Sequence, residues 1–551
     1  MTLYLLQSGL ALFVRTLCMR PRAAQMTETK GNRTVAPRSC MHQPLARLAL
    51  AIACTLAACD SDPTEPSGEA LVERLDISLN PSGFVPLAAE INLTTTQPVR
   101  VEAFIPGRHS KAGDVTNRFE EVSTSHVLPI LGLYASTDNS VRLRFFDVSG
   151  ADLGEVSRTI TTDPLIAGLP TTSVEVNRPG HKPGMHLVSY FGITGKFLPM
   201  TPVIIDSEGA VRWFADFGEH EFLSSLFYDA GVERLANGDL YFGDGSSGRI
   251  AAIDMLGNVT GQWPIPGYVF HHNVLEMTPH GNLLATVSKN GLATIEDHIV
   301  EIDRSSATIV QEWDLRLSLD QTRTAWSANT RDWFHGNGLA YDAIRDAIIV
   351  SGRVQGTVKL TRDNTVVWIL APHRDWSIAG NGVDLTTRLL TPLDAAGAQI
   401  TEPEVLQGTR KHPDFDWPWY QHAPELLPNG DVLIFDNGEN RHFTGGPRYS
   451  RAVVYRIDED NLTVQQVWEY GEERGNATYS AIVSDVDYHP VEDNIVFMPG
   501  AVFDPSPVGR IVEIDVQSRE VVFEASIRAP GAQYGITFHR VERLPLYPPM
   551  Q

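Results

Sequence analysis

Three short segments set histidines near one another's sequence context in a repeated pattern. They are Phe270-His271-His272-Asn273-Val-Leu275, Trp333-Phe-His335-Gly-Asn337-Gly-Leu339 and Tyr420-Gln-His422-Ala-Pro-Glu-Leu426. His271-x-Asn273-x-Leu and His335-x-Asn337-x-Leu share one register, and His422 has Leu426 at the same offset. Arg353, in Val350-Ser-Gly-Arg353-Val, lies one hairpin beyond His335 and would reach the same place. Imidazole, guanidinium and amide groups donate to the oxygens of a tetrahedral anion, and a neutral imidazole is also a nucleophile. Sulfuryl transfer suits such a set, because charge spreads over the equatorial oxygens while attacking and leaving oxygens stay in line. A sulfate monoester carries a single negative charge, so cationic side chains stabilise it without a metal. The competing chemistry is a histidine-based metallo-hydrolase, with Asp436, Glu439 and Asp485 available as carboxylates. Gly192-Ile-Thr-Gly195-Lys196 has the wrong spacing for a phosphate-cradling loop, which argues against a nucleotide donor.

The elements that must position these residues are strands. From about residue 200 an apolar strand ending in Ile or Leu and usually Asp, a short turn, and a second strand ending in Trp, or once in Phe, recur six times. The copies run Val203–Trp213, Ala251–Trp263, Val300–Trp313, Val358–Trp368, Tyr455–Trp468 and Val512–Phe523. Partner hairpins with turn residues at their tips lie between them, at Gly238, Gly281, Asp346, Gly430 and Asp493. Two hairpins per period make a propeller blade, so six blades around a channel are expected, with the histidines on innermost strands facing one another. An insertion at 370–418 carries Arg374, Trp376, Phe415 and Trp417, with Trp419 just beyond, and is expected to be a lid offering aromatic surface to a ligand. Residues 71–165 alternate without the Trp-ending repeat and read as a small antiparallel β-sandwich. The chain is therefore all-β, with the propeller over 185–551.

Composition bounds the partners. The 551 residues carry a formal charge of −23, which argues against nucleic acid, and no apolar run is long enough to span a bilayer. Residues 41–58, with Arg47 before the apolar run Leu48–Ala58 and Leu56-Ala-Ala-Cys59 at its end, read as a lipoprotein signal peptide in which Cys59 takes the lipid. Residues 59–70 are then a lipidated tether and 1–40 an upstream extension; the expected location is the cell envelope, on the periplasmic side of a membrane, with the lipid anchor as its only membrane contact. All four cysteines lie at or before Cys59, so the body has no thiolate nucleophile, disulfide or cysteine metal site.

Several segments together resemble the bacterial arylsulfate sulfotransferase family. They are Asp332-Trp-Phe-His335-Gly-Asn337-Gly-Leu-Ala-Tyr-Asp342, Ile349-Val-Ser-Gly-Arg353, Gln421-His422-Ala-Pro-Glu-Leu-Leu-Pro-Asn-Gly430 through Asn437-Gly438, His271-His-Asn273 and Tyr479-Ser-Ala-Ile-Val-Ser-Asp-Val-Asp487. Asn80-Pro-Ser-Gly-Phe-Val-Pro-Leu87 resembles the opening of the family's N-terminal domain. The resemblance implies a six-bladed propeller and sulfate exchange between aryl sulfates and phenols, with no nucleotide, metal or other cofactor. It implies His422 as the nucleophile that becomes a sulfohistidine, with His335, Asn337 and Arg353 on the sulfuryl oxygens and His271 or His272 completing the site. Trp417, Trp419 and Asn437 are the expected substrate contacts. Asn273 departs from the acidic residue common in relatives and leaves open which histidine of the pair faces the channel. The alternative class is a non-catalytic envelope propeller that binds an anionic ligand or a partner protein.

Overall fold

All six predicted Trp- or Phe-ending hairpins are present as antiparallel pairs, and each forms the outer half of a sheet. The computed structural model describes residues 68–548 apart from 180–183, 193–201, 225–231, 245–247, 325, 505 and 529–535. Cys59, the signal and the tether before Gly68, and most of Gly192–Lys196, lie outside the described residues. No described helix is long and apolar enough to cross a membrane.

Six sheets follow one another along the chain. Blade two runs from Glu233–Arg234 on the inside to Val259–Pro264 outside, blade three from Tyr268–Met277 to Thr308–Asp314, and blade four from Gly336–Asp342 to Val366–Leu370. Blade five runs from His422–Leu426 to Thr463–Tyr470 and blade six from Asp485–His489 to Val521–Arg528. Blade one joins both ends of the chain: Ile536–Leu544 supplies its innermost strand and pairs with Met185–Gly192. The ring closes where Arg234 N donates to Glu542 at 3.0 Å. One cavity of about 590 Å³ is lined from every inner strand, by Glu233, Leu275, Leu339, Glu425, Asp487 and Glu542 among others, which marks it as the central channel.

The repeat has a physical cause at each end of the hairpin. The Asp that ends the third strand caps its own turn: Asp206, Asp254 and Asp458 each accept two backbone N–H groups from the residues just after them. The Trp of the fourth strand ties its blade to the next. Trp213, Trp263, Trp313 and Trp468 donate Nε1 to the carbonyls of Met255, Arg304, Thr361 and Val516 at 2.9–3.0 Å, and Trp368 donates to Glu459. Phe523, which has no donor, stacks instead on His186 of blade one with ring centroids 5.1 Å apart.

The N-terminal strands form a single hydrogen-bonded sheet, because Ala88–Ile105 is long enough to serve both halves. Its first half pairs with Val72–Leu79 and its second with Asp138–Phe146, while Val115–Leu131 follows it throughout. This domain shares one core with blade one. Buried Arg212 of blade one donates to the carbonyls of Gly113 and Gly132 and to Asp206, and lies 3.8 Å from the Tyr134 ring. Thr171–Asn177 adds an edge strand to blade six.

The insertion is not a lid. Thr391–Leu393 adds a parallel strand to the outer edge of blade five, and Leu390, Ile400, Val405, Phe415 and Trp417 are buried in that blade's core. An apolar surface of this size gains more by covering the blade edge than by facing water.

Candidate active site

The inner strands of blades three, four and five share an irregularity where their histidines lie. In blade three, Phe270 pairs with Val287 and Val274 with Ala285, so His271, His272 and Asn273 together oppose Thr286. In blade four Asn337 is the extra residue between Gly336 and Gly338, and in blade five Ala423 and Pro424 oppose one partner residue. Bulges break the alternation that would send neighbouring side chains to opposite faces. His272, His335 and Ala423 take φ of 54°, 57° and 48°, a region non-glycine residues seldom adopt. Thr286 Oγ1 stabilises the first bulge by accepting from Asn273 N at 3.0 Å and donating to the His271 carbonyl.

His422 is buried, and its Nδ1 lies 2.7 Å from Asn437 Oδ1. The Asn437 amide is oriented by its own nitrogen, which donates to the carbonyls of Ser480 at 2.8 Å and Val483 at 3.0 Å. Its oxygen therefore faces the imidazole, Nδ1 must carry the proton, and Nε2 keeps the lone pair. Burial pushes the His422 pKa well below the ordinary histidine value, and the Arg353 guanidinium pushes the same way. The ring is neutral at neutral pH, as a nucleophile must be. Asn437 thus orients His422 and has both amide groups engaged, so its expected role as a substrate contact is corrected to a positioning one.

His335 has the opposite environment. Its Nδ1 lies 2.7 Å from Asp332 Oδ2 and 3.0 Å from Glu296 Oε2. Burial works against charge on this ring, but Glu296 and the hydrogen bond to Asp332 outweigh it and raise the pKa above the ordinary value. His272 packs edge-on against His335 with centroids 5.0 Å apart and approaches Glu296 at 3.8 Å. His271 is more buried and reaches His272 through Nδ1 at 3.1 Å. Of the pair, His272 is the one against His335.

Glu296, Asp332 and His335 offer ligand atoms within 4.8 Å of one another, as do His271, His272 and Glu296. A nitrogen and an oxygen bound to one ion at about 2.0–2.2 Å each stand about 3 Å or more apart. The 2.7 Å between His335 Nδ1 and Asp332 Oδ2 is the spacing of a hydrogen bond instead. Of the carboxylates expected to be available for a metal, Asp436 is held by Arg441 and Arg451, Asp485 by Arg540, and Glu439 accepts from the Tyr479 hydroxyl.

Arg353 follows blade four's second strand and crosses toward blades five and six. Its guanidinium lies 4.9 Å from the Tyr420 ring and donates to the Ala481 carbonyl at 3.3 Å. Asn337 donates to the Gln421 carbonyl at 2.9 Å, which ties blade four to the residue before His422. Trp417 and Trp419 do not serve as substrate contacts here: both are fully buried. Trp417 donates to the Val405 carbonyl, and Trp419 stacks on Trp326 in the blade core, so neither offers a ligand any surface. Sequence reasoning missed Glu296 as a site residue and quoted Asp332 only as part of a motif. Asp332 was findable from its spacing of three residues before His335, whereas Glu296 arrives from another blade.

The chain has clear relatives. A family model described as Arylsulfotransferase (ASST) matches residues 171–534, and one described as Arylsulfotransferase Ig-like domain matches 76–163. An arylsulfate sulfotransferase AssT from Escherichia coli O6:H1 is 29% identical, over 84% of this chain and 91% of that protein. A second protein of that name, from Lelliottia amnigena, is 28% identical over the same shares.

Proposed function

The chain belongs to the arylsulfotransferase family, an enzyme family, and from that premise we propose that it moves a sulfuryl group from an aryl sulfate to a phenol through a sulfohistidine on His422, with no nucleotide donor. The observation that carries this reading is the His422–Asn437 pair. An orienting amide fixes the tautomer, burial keeps the ring neutral, and Nε2 is left with a lone pair.

In the first half-reaction His422 Nε2 attacks sulfur and the aryl oxygen departs. In the second a phenolic oxygen attacks the sulfohistidine. Arg353 supplies fixed positive charge to the sulfuryl oxygens, and His335, held charged by Glu296 and Asp332, supplies more. Asn337 and His272 lie beside these groups. Two half-reactions imply ping-pong kinetics. Incubation with a chromogenic aryl sulfate with and without a phenol tests the reading. Phenol-dependent release supports transfer, release without phenol means hydrolysis, and no release favours the binding propeller. The lipid anchor at Cys59 belongs to the same proposal: Cys59→Ala is expected to abolish acyl labelling and release soluble protein, and label persisting in that variant would remove the anchor.

A further inference from the structure

This inference rests on the reading of His422 as the attacking group. The aryl oxygen leaves with the S–O electron pair, and an ordinary phenol, with a pKa of about 10, is a poor leaving group unless protonated. His422 cannot supply that proton, because its Nδ1–H is committed to Asn437 and its Nε2 is bonded to sulfur. His335 has the needed arrangement. Both carboxylates meet its Nδ1, and its side chain keeps 21% of its surface exposed. The clamp closes from two sides: Glu296 precedes blade three's third strand, and Asp332 lies in the segment that enters blade four. The backbone is fixed as well, since Gly336 N donates to the Glu296 carbonyl at 2.8 Å and Arg353 N to the His335 carbonyl at 3.0 Å. The charged and titratable groups facing the ring are Glu296 and Asp332, which favour its cation, Arg353, which opposes it, and His272 at its edge, with His422 interacting at longer range and His271 acting on Asp332.

We propose that Glu296 and Asp332 are positioning residues that hold His335 as an imidazolium whose Nε2–H protonates the departing aryl oxygen and later recovers a proton from the acceptor. In the first half-reaction His422 Nε2 gives its lone pair to sulfur, and the S–O bond breaks with its pair on oxygen. His335 Nε2–H passes its proton to that oxygen, so a neutral phenol departs and His335 is left neutral. In the second half the acceptor phenol gives its proton to His335 Nε2 as its oxygen attacks sulfur, and the N–S pair returns to His422.

The test uses the full chain and the variants Asp332→Asn, Glu296→Gln and their combination, with phenyl sulfate and 4-nitrophenyl sulfate as donors. 4-Nitrophenol is far more acidic than phenol, so its anion departs without being protonated. The double variant is expected to lose roughly ten- to hundred-fold more on phenyl sulfate than on 4-nitrophenyl sulfate. The alkaline limb of its pH profile is expected to move to lower pH. An NMR titration of isotope-labelled histidine, with the His335 signal assigned by its absence in His335→Asn, is expected to show that ring losing its proton at lower pH in the variants. Equal losses on both donors, no loss, or an unchanged His335 titration would overturn the proposal. If the wild type cleaves neither donor, the transfer reading itself fails, and the titration alone then decides whether the carboxylates hold the His335 charge.

Discussion

Two stretches of the propeller's inner strands differ in backbone and in charge. Where the strands of blades three, four and five begin, bulges gather His272, His335 and His422, with Arg353 beside them. Farther along, these three strands return to regular register, and together with the inner strands of the other blades they surround a cavity whose lining turns acidic, with Glu425 of blade five, Glu233, Asp487 and Glu542 of the others, and Arg540 among them. Burial raises every one of these carboxyls, Asp487 to about 7 and Glu542 to about 8. They therefore hold less negative charge than their number implies, so the chain's formal charge of −23 overstates the charge around the channel. The difference teaches that backbone irregularity builds this site, while regular strands with buried carboxyls merely line the channel.

The comparison breaks first at Arg353. Arg353→Lys keeps the charge but loses the fork, and is expected to raise the barrier to donor cleavage by about 2–4 kcal/mol. Steady-state kcat/KM with a chromogenic donor checks it, and a loss below about threefold would contradict the role. Asn437→Asp sharpens the comparison by giving the nucleophile an acidic neighbour like that of His335. A carboxylate stabilises the imidazolium, so the His422 pKa rises and the neutral, attacking form disappears at higher pH. The acid limb of the pH–rate profile is expected to move upward, with about a tenfold loss per pH unit below the new pKa; a limb that stays in place would show that the Asn437 contact does not govern the ring.

Trp417→Ala tests residues outside both stretches. The cavity is expected to cost about 3–5 kcal/mol of stability while acceptor preference stays unchanged. Denaturant unfolding and a panel of phenols read the two effects, and a changed preference would return the insertion to a role in binding. The smallest effect belongs to the acidic stretch. Asp487 has a folded pKa of about 7, above its unfolded value of about 4. The fold therefore favours its acid form, and stability is lost as pH rises between those values. Asp487→Asn removes that loss, so Tm above neutral pH is expected to rise by a few degrees with turnover nearly unchanged. A fall in turnover comparable to that of Arg353→Lys would erase the distinction between the two stretches.

The outer hairpins were legible because most carry a local cause, an Asp that caps the turn and a Trp that ties to the next blade, with Thr361 replacing the Asp in blade four and Phe523 the Trp in blade six. Blade one's inner hairpin was not legible: Ile536–Leu544 has no such repeat, and its partner Met185–Gly192 lies at the other end of the propeller sequence. The shared histidine register pointed to the site, but the bulges were invisible, since His272 and His335 are not residues whose type announces a positive φ. The aromatic residues of the insertion gave a misleading signal, because a buried Trp and a Trp that faces a ligand look alike until the blade edge it covers is known.

The central claim is that His422 carries the sulfuryl group. Rapid quenching of the wild type with an aryl sulfate alone, followed by intact-mass and peptide analysis, is expected to show one added sulfuryl group on His422, absent in His422→Asn along with turnover. An adduct on His335 or His271 would reassign the nucleophile, and wild-type turnover in His422→Asn would contradict the account.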